Sequence, residues 1–114
     1  MPSAPRIACR LTTPEQAHRL EALRTGLFAG AMSVEERHNG YAFGFTGTDS
    51  NASALLDFVG FERQCCPFLT FSLILSPEPE PIVLSLTGDS SVIAFVRDTF
   101  VALTPTQPTG SFSS

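Results

Sequence analysis

Apolar positions recur along the chain with two periods, two residues in some stretches and near 3.6 in others, and these periods predict its elements. Ile7, Cys9 and Leu11 alternate with Ala8 and Arg10, the pattern of a short strand over 6–11. Thr13-Pro14-Glu15-Gln16 reads as a capping box with proline at the first helical position. The helix it opens carries Ala17, Leu20, Leu23, Leu27, Phe28 and Ala31 on one stripe, with His18 on the solvent side. The polar run Glu35-Glu36-Arg37-His38-Asn39 reads as surface loop ending in an Asn39-Gly40 turn. Tyr41, Phe43 and Phe45, alternating with Ala42, Gly44 and Thr46, then predict a strand with an aromatic face.

Asp49-Ser50-Asn51 supplies capping oxygens for a second helix that runs to about Cys65, where Pro67 stops it. Phe71, Leu73 and Leu75 alternate with Thr70, Ser72 and Ile74 in a further strand. The connector Pro77-Glu78-Pro79-Glu80-Pro81 is expected to be extended and stiff, leading to a strand over 82–87. Gly88-Asp89-Ser90 caps a third helix through Val92, Ile93, Val96, Phe100 and Leu103. From Thr104 the chain is rich in Thr, Pro, Gly and Ser, which predicts a disordered tail over 104–114, matching a short disordered start over 1–5.

The order β-α-β-α-β-β-α implies a single α+β domain over 6–103, built as a two-layer sandwich. A four-stranded mixed sheet with its helices on one face is the expected arrangement. The opposite face would carry Ala42, Gly44, Ser72, Ser85 and Thr87, small residues suited equally to a homodimer contact or to an ordinary solvated face.

At 114 residues with 43% hydrophobic and 16% charged positions, the chain can build a core without metal or disulfide staples. Seven arginines and no lysine face eleven acidic residues, for a net charge of −4. The arginines are scattered singly, which argues against nucleic acid or an anionic membrane surface as partner. No stretch is apolar enough to span a membrane and the N-terminus lacks a secretory pattern, so a cytoplasmic protein with reduced thiols is the expectation. The cysteines are Cys9, Cys65 and Cys66. Adjacent Cα atoms lie about 3.8 Å apart, short of the roughly 4.4–6.8 Å of an unstrained disulfide, so a Cys65–Cys66 bridge is disfavoured.

Phe61-Glu62-Arg63-Gln64-Cys65-Cys66-Pro67-Phe68 holds the candidate chemistry. On a helical wheel Ala52, Leu55, Val59, Glu62 and Cys66 share one stripe, flanked by Phe58, Phe61 and Cys65. A carboxylate in the middle of an apolar face is costly unless paired, and Arg10 and Arg63 are the candidate partners. Cys65 and Cys66 follow Glu62 by three and four residues, the spacings at which helical side chains meet. Two thiols and a carboxylate could hold Zn²⁺, Hg²⁺, Cu⁺ or a trivalent arsenical, since soft donors select soft or borderline ions. Consecutive helical residues diverge, so both sulfurs can reach one ion only if Pro67 drives Cys66 out of the helical region. Cys9, His18 and His38 are the remaining candidates for a fourth ligand. The helix C-terminus and Glu62 both raise a thiol pKa, which favours a ligand over an unassisted nucleophile.

Against this soft-metal site stands a non-catalytic homodimeric interaction domain, with the cysteines packed as small hydrophobes and Glu62 paired to arginine. A thiol redox enzyme is a third reading. No phosphate loop, Ser-His-Asp set or Cys-x-x-Cys motif is present.

Glu62-Arg63-Gln64-Cys65-Cys66-Pro67-Phe68-Leu69-x-Phe71 resembles the signature of a family of small bacterial proteins marked by Glu-Arg-x-Cys-Cys, a small residue or Pro, then Phe-Leu. Gly40-Tyr41-Ala42-Phe43 and Ile82-Val83-Leu84-Ser85-Leu86-Thr87-Gly88 look like that family's middle strand and second half. The resemblance covers roughly 6–100. Such proteins are often found beside genes for mercury-type regulators and heavy-metal resistance, which implies a soft-metal context without a defined activity.

Overall fold

A computed structural model describes residues 13–105 and 108–110. The expected strand over 6–11, with Cys9 and Arg10, lies outside the described residues. Helix α1 (Thr13–Thr25) is followed by a 3₁₀ turn over Leu27–Gly30, strands β1 (Ser33–Arg37) and β2 (Gly40–Phe45), and helix α2 (Asp49–Cys65). Strands β3 (Thr70–Ile74) and β4 (Ile82–Thr87), helix α3 (Ser90–Thr99), a second 3₁₀ turn over Val101–Leu103 and a two-residue strand β5 (Thr109–Gly110) complete it. The first apolar stripe is thus divided: α1 stops at Thr25, and the 3₁₀ turn carries Leu27 and Phe28 inward.

The sheet order is β3-β4-β2-β1-β5. It departs from the expected mixed sheet, because every pairing among the four main strands is antiparallel and only β5 runs parallel to β1. Two hairpins explain this. The β1–β2 hairpin pairs Arg37 with Gly40, and the β3–β4 hairpin pairs Ile74 with Val83. The crossover through α2 sets β3 one strand away from β2, and β4 fills the gap antiparallel to both.

While His38 and Asn39 form the expected turn, Glu35, Glu36 and Arg37 of the polar run expected as loop belong instead to strand β1. Its exposed positions alternate with buried Val34, and one apolar residue in five is too few to register as a strand by periodicity. The proline-rich connector forms a reversal, with the Glu80 N–H donating to the Pro77 carbonyl at 2.9 Å. The hairpin-like link expected between the last two strands is thus present, while the connector itself turns rather than running extended. Within the expected disordered tail, Thr109 and Gly110 pair with Glu35 and Glu36, using the outer edge of β1. Gly40 is needed for close approach: a Cβ there would collide with the Leu86 carbonyl across the β2–β4 pair.

Thr48, one residue earlier than the expected caps, accepts the Asn51 N–H to start α2. Asp89 caps α3 by accepting the N–H groups of Ser91 and Val92. Helices α2 and α3 pack on the sheet face formed by Phe43, Phe45, Leu84 and Leu86, all fully buried. The outward rows run Ser33–Gly44–Val83–Ile74 and Glu35–Ala42–Ser85–Ser72. They remain exposed or half-buried on every strand except the central β2.

Phe28 is the hub of the core. Its ring centroid lies 5.4 Å from that of Phe43, 6.0 Å from Phe45, 5.3 Å from Phe58 and 5.8 Å from Phe100. The 3₁₀ turn thereby ties α2, α3 and the sheet together.

Candidate metal site

The apolar face of α2 is anchored by Leu55 and Phe58, which are buried, while Asp57, Gly60 and Gln64 face solvent. Glu62 lies one turn beyond Phe58 and is carried into the interior with them. It is 3% exposed, and it is the one buried charged residue among the described residues. Cys65 and Cys66 are 5% and 1% exposed. Phe61, by contrast, is surface-facing.

Pro67 ends the helix as expected. Cys66 adopts φ −122° and ψ 75°, outside the helical region, while its N–H still donates to the Glu62 carbonyl at 2.6 Å. In a continuous helix the two cysteines would diverge by about 100°. With the helix broken at Cys66, the ligand atoms of Glu62, Cys65 and Cys66 all lie within 4.8 Å of one another. Among the described residues no other cluster of three His, Cys, Asp or Glu side chains has such mutual reach. His18 and His38 are exposed and belong to no such cluster, so neither is a fourth ligand from this chain.

The partner of Glu62 is neither of the two arginines expected from sequence. Arg63 is exposed, and Arg10 lies outside the described residues. Instead Arg19 of α1 donates from Nε to Glu62 Oε2 at 2.9 Å. Its guanidinium carbon also sits 4.2 Å from the centroid of the Phe61 ring, a cation–π contact that covers that exposed phenyl. The signal for Arg19 was present: it stands four residues before buried Leu23, on the border of the α1 stripe. Helix–helix placement decided the pairing. Arg19→Met is expected to destabilise the protein by about 1–3 kcal/mol, by leaving a buried acceptor without its donor. Arg63→Met is expected to change stability by less than about 0.5 kcal/mol. Urea unfolding of both variants checks this, and equal losses would overturn the assignment.

The second carboxylate oxygen, Oε1, accepts from Cys66 Sγ at 3.7 Å. Burial pushes the Cys66 thiol from an ordinary 9.0 up to about 12, the Glu62 charge and its hydrogen bond push the same way, and Arg19 opposes them. At neutral pH Cys66 is therefore a neutral thiol. A cleft of about 70 Å³ between α1, the end of α2 and α3 reaches this point. Arg19, Glu62 and Cys66 stand on its polar side with Gln16 and Thr99, and Leu20, Phe95 and Phe100 form its apolar side.

Cys65 departs from the expected reduced thiols, because it is held in a disulfide while Cys66 remains a thiol. The disfavoured bridge between neighbours is not the one formed. The expectation of reduced thiols rested on compartment, and a disulfide needs only a second sulfur within reach, a matter of folding that spacing does not show.

Comparisons of the chain with protein-family models, with curated proteins and with solved structures returned no match.

Proposed function

We propose that the reduced protein binds one soft or borderline metal ion, or a trivalent arsenical, through Cys65, Cys66 and Glu62. The carrying observation is that three donor atoms from one broken helix end converge within 4.8 Å in a buried recess. Charge supports it. Two thiolates and a carboxylate bring three negative charges, which a divalent cation together with Arg19 would balance. Without the cation, burial first and the Glu62 charge second keep the Cys66 thiol protonated, and a bound cation would reverse that balance. Arg19 would keep its hydrogen bond to Oε2 and present Oε1 to the ion, the part played by outer partners of ligating carboxylates. Binding would displace the thiol protons, so affinity should fall as pH falls. The resemblance of the Glu62–Phe71 segment to small bacterial proteins near metal-resistance genes agrees with this reading, and we propose membership of that family with it.

The test is a Cd²⁺ titration of reduced protein under anaerobic conditions, followed by calorimetry and by thiolate-to-cadmium absorbance. One ion per chain is expected, with a dissociation constant below about 1 μM, equivalent to more than about 8 kcal/mol. A Cys65→Ser, Cys66→Ser variant is expected to lose that binding. Equal, weak binding by the two proteins would remove the proposal.

A further inference from the structure

Cys65 occupies two roles that exclude each other. Its Sγ lies among the three clustered donor atoms, yet it is held in a disulfide. The thiolate, not a disulfide sulfur, is the metal ligand. In the oxidised chain the cluster therefore offers one thiol and one carboxylate, and in the reduced chain it offers two thiols and the same carboxylate.

Resting on the metal-binding reading, we propose that the site is redox-gated: reduction of the Cys65 disulfide completes it, and the bound ion then holds Cys65 reduced. The electron donor is one dithiol or a pair of low-molecular-weight thiol molecules. It gives two electrons and two protons to the Cys65 disulfide, whose S–S bond breaks as two S–H groups form, and is itself oxidised to a disulfide. Cys65 and Cys66 then each release a proton to solvent as the cation binds, and Glu62 enters already paired with Arg19.

The geometry suits a gate in two respects. With Cys65 in its disulfide, the helix break at Cys66 and the Arg19–Glu62 pair already position two donors, so reduction adds the missing ligand to a site already arranged. The cleft beside Cys66 and Glu62 gives a small ion a route to both. Linkage makes the effect reciprocal. At a concentration of ion about 100 times its dissociation constant, the balance between thiol and disulfide should shift about a hundredfold toward thiol.

The experiment uses the full chain in two states, oxidised with glutathione disulfide or reduced with a phosphine that is then removed anaerobically. Peptide mass mapping establishes the state of Cys65, and Cd²⁺ alone is the probe. Reduced protein is expected to bind at least a hundredfold tighter than oxidised protein. Cys9→Ser leaves Cys65 and Cys66 as the only cysteines and is expected to bind Cd²⁺ without prior reduction, its fold checked by circular dichroism. Equal affinity in both states would overturn the gate and leave the metal site standing. A Cys65 that never enters a disulfide would do the same. Absence of binding in either state would overturn both.

Discussion

Phe28→Ala is expected to destabilise the protein by about 3–5 kcal/mol, the scale for deleting a fully buried phenyl. The ring is 0% exposed and meets Phe43, Phe45, Phe58 and Phe100, so truncation opens a cavity bounded by strand and helix side chains together. These neighbours belong to different elements, which leaves the cavity little freedom to collapse. Against a total stability of about 5–15 kcal/mol for a domain, the loss is a large fraction. Urea unfolding should show a lower midpoint at unchanged slope. Phe61→Ala, at a ring already 41% exposed, serves as the comparison and is expected to cost far less. Similar losses at the two positions would refute the placement of Phe28 at the centre.

The second large effect is alkaline. The Cys66 pKa is raised in the folded state to about 12, from an ordinary 9.0. The folded chain therefore holds the thiol proton more tightly than the unfolded chain does. The corresponding stability is fully present below about pH 9 and is lost as pH rises toward 12. The slope approaches about 1.4 kcal/mol per pH unit for this one group. Cys66→Ala removes the group, so the stability difference between wild type and variant should be constant up to about pH 8.5. Above that it should shift against wild type, by more than 1 kcal/mol by pH 10 on the same slope. Parallel stability curves across that range would show that the thiol is not buried against Glu62.

Both effects return to how far the chain could be read before it was folded. The stripe of α2 was legible because burial at every third or fourth residue is a local pattern: Leu55, Glu62 and Cys66 of the expected stripe are buried with the flanking Phe58 and Cys65, while Ala52 and Val59 are half-buried. The role of Pro67 was legible because its clash with the preceding residue is local too. Strand β1 was not, since its single buried Val34 gives no period, and its pairing with β2 supplies what the side chains do not. Arg19 was overlooked as the partner of Glu62 because the two stand 43 residues apart, on helices whose packing no spacing encodes.

By itself, then, the sequence determined the local matters: the helical and extended periods, the caps and breaks, and the placing of a glutamate and two cysteines three and four residues apart at one helix end, whereas their convergence within 4.8 Å is a matter of the folded structure. Only the tertiary structure decided that the main strands run antiparallel, that Arg19 meets Glu62, and that Cys65 is oxidised while Cys66 is not. The physical reason is range. Backbone sterics and side-chain periodicity act within a turn or two of chain, whereas ion pairs, strand order and disulfides depend on which distant segments the hydrophobic core draws together.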